Sequence, residues 1–383
     1  MKKNTLTFIK GVGMTIGAII GVGVFGLPYA FAQSGFSLGL LILLLLGAML
    51  IILQLMYAEV ALQTRGKHRL VGYVRMYLGK EWSFVALITL AASMWGAMLA
   101  YIIVGGEFIH LLFGGLLGIP EILCSLIIAG VASLFIYRGL GFAAKAEVII
   151  IGALIFLFLF IIGASLPHVQ VENLLTLDWS QGLLPYGVVL FSLAGIGVVP
   201  ELKDVLGRKM RNNIGYVLTV GLLIVVAIYA FFSFAVVGVT GGATAEVAFD
   251  GLVPVLGPVF GLIVALLGSL TILSIYMLIG VELQNMFQYD FKMRKLSAFL
   301  LTAVVPIALF LIGFREFIYL VGFVGAVFGG LHGVFIVATY QKMRIGLEKK
   351  KHKCFHVPNL VSWLLIGIFL LGVALEVQSR IMS

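Results

Sequence analysis

The fold of this chain is decided near its amino terminus by an interrupted apolar stretch, GVGMTIGAIIGVGVFGLP, at residues 11–28. Its eighteen residues include six glycines and a final proline. Since a glycine costs up to about 1 kcal/mol inside a helix, the stretch predicts a helix that breaks. A second stretch, FSLAGIGVVP at residues 191–200, also combines glycines with a following proline. Both stretches lie in longer apolar runs, so the sequence predicts two broken helices in an apolar environment.

The composition places the chain in a membrane. Of its 383 residues 62% are apolar and 11% are charged, and the mean hydropathy is +1.18. A soluble globular chain is about half apolar and about a quarter charged, so a water-soluble enzyme is excluded, as is a disordered chain. The two cysteines, Cys124 and Cys354, lie in unrelated contexts. They predict neither a disulfide framework nor a metal site, and we expect no cofactor and no metal.

The apolar runs are long enough to cross a membrane, which takes about 20 residues for a hydrocarbon core of about 30 Å. Residues 11–58 contain no Asp, Glu, Lys or Arg, which leaves room for two spans. The sequence thus predicts an all-α membrane protein with eleven transmembrane helices in one domain, residues 1–383, and a short surface helix within 63–81. The other nine runs are 82–112, 121–137, 146–167, 183–200, 214–238, 252–281, 296–313, 317–340 and 358–376.

Basic residues alternate between the predicted connections. With the amino terminus in the cytoplasm, 23 of the 25 Lys and Arg residues lie on the cytoplasmic side, and only Arg315 and Arg380 lie outside. Cytoplasmic loops are enriched in Lys and Arg, so we expect a cell-membrane protein with its amino terminus inside and its carboxy terminus outside. This orientation accounts for the net charge of +9, and we expect no nucleic-acid partner.

The two broken helices each open a group of five spans. Residues 8–167 form the first group, residues 183–340 form the second, and the last helix, 358–376, is peripheral. A matched pair of interrupted helices is typical of transporters that are built from inverted repeats. Because five is odd, the second repeat enters the membrane from the opposite side, in agreement with the basic residues.

Backbone groups released at the breaks suit a zwitterion. The N–H groups near residues 22–24 present the positive end of a helix dipole, which favours a carboxylate. The C=O groups near residues 191–194 suit an ammonium group or a cation. Unwound backbone is tolerated in a membrane only where it is buried in protein or lines a cavity. The sequence leaves open the alternative that glycines such as Gly13, Gly17 and Gly21 only allow close helix packing.

The stretch from Gly17 to Pro28 resembles the first-helix motif of the amino acid/polyamine/organocation superfamily, a G-x-G-I-F-x-x-P pattern. Three further stretches, YAE at 57–59, AYIIVGGE at 100–107 and PELK at 200–203, resemble the amino acid/auxin permease branch and its bacterial aromatic amino acid permeases. The resemblance implies a LeuT-type fold of five plus five helices and secondary transport of amino acids. It also implies the substrate-binding residues, which are Ile20, Gly21, Val22 and Gly23 for the carboxylate and Phe191, Ser192, Ala194 and Gly195 around the amino group.

Several aromatic and ionisable side chains are candidates for the pocket and for proton coupling. We expect Tyr101 and Trp95, with Phe191, to form an apolar pocket that suits a neutral or aromatic substrate. Ionisable residues inside spans are costly and often functional, and histidine titrates in the right range for a proton carrier. Glu107 and His332 are therefore candidates for proton coupling. The alternatives are that Glu107 lies shallow enough to reach water and that His332 only packs.

Hydroxyl groups of the eighth helix are candidates for sodium coupling. In the fold that the chain resembles, such hydroxyls and first-helix carbonyls can hold sodium, which here concerns Ser269, Thr271 and Ser274. The alternative is that these hydroxyls donate to their own helix, as hydroxyls in spans usually do.

The sequence therefore predicts an importer of neutral amino acids, with aromatic ones among them, that works by alternating access and is coupled to protons. Two alternatives stay open, an amino-acid-sensing receptor of the spore-germinant type and a sodium-coupled amino acid symporter. The loops contain no HExxH, GxSxG or acidic metal-binding cluster, so we expect no enzymatic activity.

Overall fold

The computed structural model describes residues 2–138, 143–210, 213–289, 291–348 and 357–382, and these contain helices and connections but no strand. The principal helices are α1 (Lys2–Ile19), α2 (Leu27–Ser34), α3 (Phe36–Gln63), α4 (Leu70–Tyr77), α5 (Lys80–Ile109), α6 (Glu121–Arg138), α7 (Ala143–Ser165), α8 (Leu184–Ser192), α9 (Val198–Met210), α10 (Ile214–Thr240), α11 (Pro258–Tyr289), α12 (Lys295–Ile312), α13 (Phe317–Phe323), α14 (Gly330–Glu348) and α15 (Asn359–Met382).

The first predicted break is confirmed. Helix α1 ends because Gly21 takes an extended backbone conformation, with φ −142° and ψ −162°. A short 3-10 helix, Val22–Gly26, follows and leads into α2, where Pro28 lies in the first turn. Proline is tolerated there because the first N–H groups of a helix have no partner inside the helix. The two halves of this span are bent by 57°.

The second predicted break is confirmed as well. Helix α8 ends at Ser192 and α9 begins at Val198, and the residues between them include Gly195 and Gly197. Pro200 lies in the first turn of α9. Both interruptions thus combine glycines, which favour the break, with a proline that starts the next helix segment.

The number of spans is only partly established. In the described part of the chain, eight helices are long and apolar enough to cross a membrane, and the bent pair α1/α2 makes nine. The two other spans that the sequence predicts correspond to α7 and to the interrupted pair α8/α9, so the count of eleven stays a prediction. The repeat boundaries also stay predictions. The expected surface helix is present as α4.

The two broken spans lie at the centre of the helix bundle. Helix α1 packs against α9 and α10, and α2 packs against α8 and α10. Helix α8 also packs on a π-helical turn, Val324–Gly329, that joins α13 to α14. Gly325 allows this contact, because a Cβ atom at this position would collide with the carbonyl oxygen of Gly187. The sequence did not predict the π-helical turn.

Candidate functional site

The two breaks are in direct contact. A Cβ atom built on Gly23 would lie 2.6 Å from Cδ1 of Phe191 and 2.7 Å from Oγ of Ser192. On the other side of the contact, a Cβ atom built on Gly195 would collide with the side chain of Ile19. Carbon atoms in contact are about 3.5–4.0 Å apart, so neither position has room for a side chain. The glycines thus allow the two breaks to approach each other.

Tyr101 of α5 binds the backbone of the first break. The N–H group of Val22 donates a hydrogen bond to its hydroxyl oxygen at 3.1 Å. A Cβ atom on Gly21 would lie only 2.5 Å from the same oxygen. The side chain of Tyr101 is 4% exposed. Its oxygen accepts from Val22, which leaves the hydroxyl hydrogen available for another acceptor.

Tyr229 of α10 lies between the two breaks, and it is not among the residues predicted from the sequence. Its hydroxyl group is 3.0 Å from the carbonyl oxygen of Ser192 and 3.3 Å from that of Ile19. Both partners are acceptors, so the hydroxyl donates. A signal was present in the sequence, because a tyrosine in the middle of an apolar span needs a partner for its hydroxyl group.

The remaining substrate-binding candidates differ in exposure. Ile20 is buried, and its N–H group donates to the carbonyl of Ile16 at 2.9 Å, so it continues the bonding of α1. In the second break Phe191 is half-buried and Ala194 is exposed. The N–H group of Ala194 donates to the carbonyl of Phe191 at 3.1 Å.

The side chains of Ser192 and Trp95 donate hydrogen bonds in different parts of the bundle. The hydroxyl of Ser192 donates to the carbonyl of Val188 at 2.7 Å, so it is bonded within its own helix. The indole N–H group of Trp95 donates to the carbonyl of Leu301 at 3.0 Å, and its ring packs against Phe287. Trp95 thus faces α11 and α12 and does not join Tyr101 at the first break.

An aromatic cluster covers the first break on the side of the bundle opposite the amino terminus. The connection between α10 and α11 folds inward, and the N–H group of Ala248 donates to the carbonyl of Phe25 at 3.0 Å. The ring of Phe249 stacks on that of Phe108 with centroids 4.4 Å apart. Phe158 and Phe232 complete the cluster around Phe25. These five phenylalanines are buried and close this side of the site.

On the amino-terminal side, ion pairs link the connection after α3 to α9 and α11. Arg69 pairs with Glu282 at 2.5 Å and lies 3.8 Å from Glu201. Lys67 pairs with Asp204 at 3.0 Å. All of these side chains are exposed, and exposed pairs stabilise a protein by only about 0–1 kcal/mol each. The pairs therefore hold the connection after α3 only weakly against α9 and α11.

Glu107 lies among other acidic residues near the aromatic cluster. It is half-buried, and its Oε2 atom has no hydrogen-bond partner among the described residues. Asp250, Glu121 and Glu246 interact with it electrostatically. Asp250 keeps an exposed edge, but partial burial of its carboxyl group and the nearby charge of Glu121 raise its pKa to about 6. This group of carboxylates can therefore take up a proton near neutral pH.

His332 lies elsewhere, on α14. Its side chain is 5% exposed and interacts with the backbone of Thr89 on α5. Among the described residues its Nε2 atom has no partner. The structure thus places the two candidates for proton coupling apart, Glu107 among carboxylates and His332 between α14 and α5.

Two of the three candidate hydroxyls on α11 donate to their own helix. Thr271 donates to the carbonyls of Gly268 and Leu267 at 2.9 and 3.0 Å, and Ser274 donates to that of Leu270 at 2.9 Å. Ser269 is buried, and its Oγ atom has no partner in the part of the chain that the structure describes. The described residues contain no group of three or more His, Cys, Asp or Glu side chains that could hold a metal ion.

The sequence is similar to those of known aromatic amino acid transporters. The model of the tryptophan/tyrosine permease family matches residues 4–378. The tryptophan-specific transport protein of Shigella flexneri is 26% identical over 347 residues, which cover 83% of this chain and 82% of that protein. The tyrosine-specific transport system 1 of Haemophilus influenzae is 21% identical over 393 residues, with 97% and 98% coverage.

Solved structures share the fold. MhsT in complex with L-phenylalanine superposes with a TM-score of 0.70 at 16% identity, covering 98% of each chain. The manganese transporter of Eremococcus coleocola superposes with a TM-score of 0.73 at 17% identity, covering 99% of this chain and 87% of that chain. These similarities identify the LeuT-type fold with its interrupted first and sixth helices.

Proposed function

Because this chain belongs to the tryptophan/tyrosine permease family, we propose that it is a secondary active transporter that imports neutral amino acids, aromatic ones above all, across the cell membrane. The observation that carries the proposal is the contact between the two breaks, where Gly23 faces Phe191 and Ser192. A site built from unwound backbone at this depth has the donors and acceptors that an amino acid zwitterion needs. The transport proteins to which the chain is similar support the same class of substrate.

The first break receives the carboxylate in this proposal. The backbone from Gly21 to Gly23 begins a new helix segment there, and the first N–H groups of a helix have no acceptor inside it. An anion is stabilised at such an end. Tyr101 adds a side-chain donor, since its hydroxyl oxygen accepts from Val22 and its hydrogen stays available for the carboxylate. No Ser or Thr occurs at residues 20–23, so backbone N–H groups and the hydroxyl of Tyr101 donate all the hydrogen bonds to the carboxylate at this break.

The second break receives the amino group. Its carbonyl groups at Phe191, Ser192 and Ala194 are acceptors, and residues 183–200 contain no charged side chain. An ammonium group supplies three donors, which can be shared among several carbonyls. The half-buried ring of Phe191 offers an apolar surface for the substrate side chain. A neutral or aromatic side chain fits such surroundings, whereas a charged one lacks a partner.

Transport by alternating access requires that the site opens to one side at a time. The aromatic cluster around Phe25 closes the side opposite the amino terminus, which we take as the external side. The exposed ion pairs of Arg69 lie on the amino-terminal side, which we take as cytoplasmic from the distribution of Lys and Arg. Because each of these pairs contributes little, this side can open at small cost.

We assign the coupling ion as the proton. Glu107 and Asp250 lie beside the external cover, and the raised pKa of Asp250, about 6, allows it to bind a proton near neutral pH. His332 is a second candidate, since a buried imidazole can take part in proton transfer. Sodium is the alternative coupling ion. The hydroxyls of Thr271 and Ser274 are already bonded to their own helix, which disfavours a sodium site there.

Reconstituted protein tests the proposal. Proteoliposomes are supplied with labelled tryptophan, tyrosine, phenylalanine, leucine and lysine under a proton gradient alone and under a sodium gradient alone. We expect uptake of the aromatic amino acids under the proton gradient without sodium. Uptake that strictly requires sodium would overturn the assigned ion, and binding without any uptake would indicate a sensor.

A further inference from the structure

Tyr229 is buried near the middle of α10, with 0% of its surface exposed. Its hydroxyl group lies 3.0 Å from the carbonyl oxygen of Ser192 and 3.3 Å from that of Ile19. These carbonyls belong to the last residues of α8 and α1, where the two helices stop. One side chain therefore reaches both interrupted spans at the point where each loses its regular backbone bonding.

The hydroxyl group cannot satisfy both carbonyls fully. It has one hydrogen to donate, whereas both partners can only accept. The shorter distance favours the bond to Ser192, and Ile19 has the longer contact. A buried acceptor without a full hydrogen bond is costly. The two carbonyl groups can therefore accept a hydrogen bond from a second donor.

We propose that Tyr229 is a positioning residue that holds the carbonyl groups of Ile19 and Ser192 together so that they receive the amino group of the substrate. The inference rests on the function proposed above, since the ammonium group of an amino acid supplies the second donor. When the ammonium group binds one carbonyl, the tyrosine hydroxyl donates to the other. Substrate binding then fixes the relative position of the two broken spans.

Tyr101 provides a comparison, because it contacts only the first break. Its hydroxyl accepts from Val22 and is adjacent to Gly21. Loss of the Tyr101 hydroxyl should therefore loosen the first break alone, whereas loss of the Tyr229 hydroxyl should loosen both. A general loss of stability would not produce this difference between two buried tyrosines.

Hydrogen exchange tests the link without any ligand. Amide exchange is measured by mass spectrometry in peptides that cover residues 16–26 and 188–199, in the wild type and in three variants. Tyr340→Phe is the matched control, because Tyr340 is also buried and its hydroxyl accepts from the N–H group of Val357 at 3.1 Å, outside both peptides. We expect at least tenfold faster exchange in both peptides for Tyr229→Phe, in the first peptide alone for Tyr101→Phe, and in neither for Tyr340→Phe. Unchanged exchange in either peptide of Tyr229→Phe would overturn the link between the breaks.

Substrate binding tests the role in recognition. The Kd of purified protein for L-tryptophan and L-tyrosine is measured by calorimetry, and KM and the maximal rate are measured in proteoliposomes. For Tyr229→Phe we expect Kd and KM to rise at least tenfold while the maximal rate changes less. For Tyr340→Phe we expect Kd and KM to stay within twofold of the wild-type values. An unchanged Kd in Tyr229→Phe would refute the positioning role. If the wild type binds neither amino acid, the proposed function is wrong, and the exchange experiment still decides whether Tyr229 joins the two breaks.

Discussion

Substitution of Gly23 by alanine should impair substrate binding by displacing the two broken spans from each other. A methyl group at this position would lie 2.6 Å from Cδ1 of Phe191, 2.7 Å from Oγ of Ser192 and 3.0 Å from Cα of Ser192. Since contacting carbon atoms are about 3.5–4.0 Å apart, the neighbours must move by about 1 Å. Part of this movement falls on the backbone of Ser192, which cannot turn away as a side chain can.

The expected magnitude follows from the cost of overfilling a packed site. Such substitutions cost about 1–3 kcal/mol, and a factor of ten in affinity corresponds to about 1.4 kcal/mol. If the cost falls on the bound state, the Kd for tryptophan or tyrosine should rise by about 5-fold to about 140-fold. Gly23→Leu adds three more carbon atoms at the same point and should abolish uptake.

The control is a glycine of the same span with free space around it. A Cβ atom on Gly13 has no neighbouring atom within 4 Å, and alanine is a better helix former than glycine by about 1 kcal/mol. Gly13→Ala should therefore retain wild-type uptake. Uptake and binding are measured in proteoliposomes at matched protein levels. Wild-type Kd and KM in Gly23→Ala would show that the contact between the breaks is not needed for binding, and an equal loss in Gly13→Ala would show that the effect is not specific to this contact.

Four further substitutions test the aromatic cluster, the acidic group and the hydroxyls of α11. Phe249→Ala should lower the free energy of unfolding by about 3–5 kcal/mol, whereas Phe84→Ala, whose ring is 56% exposed, should change it little; chemical denaturation in detergent measures both. The pKa of Asp250 is raised to about 6 from an ordinary 3.8, so its contribution to stability is largest at low pH and is lost as the pH rises through about 6. Asp250→Asn should therefore flatten the decline of the melting temperature between pH 5 and 7.5. An unaltered decline would contradict this. Glu107→Gln should remove the stimulation of uptake by an imposed proton gradient, and stimulation equal to that of the wild type would exclude Glu107 as a coupling residue. Ser274→Ala should leave uptake unchanged with or without sodium, because its hydroxyl is bonded to its own helix.

Both breaks could be predicted from the sequence because their causes are local. Gly21 adopts its extended conformation where six glycines weaken the helix, and α8 ends just before Gly195 and Gly197. Likewise, the surface helix α4 follows from apolar residues placed among basic ones. Such features depend on a few consecutive residues, so no knowledge of neighbouring helices is required.

The contacts across the site could not be predicted in the same way. Helix α10 is apolar along its whole length, so its sequence does not indicate which face meets α1 and which meets lipid. The role of Tyr229 depends on that choice of face. Trp95 and Tyr101 illustrate the same difficulty, since both lie on α5 and yet only Tyr101 turns toward the first break. The connection around Ala248 turns toward the first break because of contacts with residues far away in the sequence. No local sequence pattern predicts this path.

An experimental structure of the protein with bound L-tryptophan or L-tyrosine would show whether the two breaks hold the substrate. In that structure the carboxylate of the amino acid should lie within hydrogen-bond distance of the backbone N–H groups of Gly21 and Gly23 and of the hydroxyl of Tyr101, which holds the N–H group of Val22. The ammonium group should lie within hydrogen-bond distance of the carbonyls of the second break and of the carbonyl of Ile19, which Tyr229 holds next to that of Ser192. An amino acid bound away from both breaks, or two spans that run through residues 20–23 and 193–197 as unbroken helices, would contradict this arrangement.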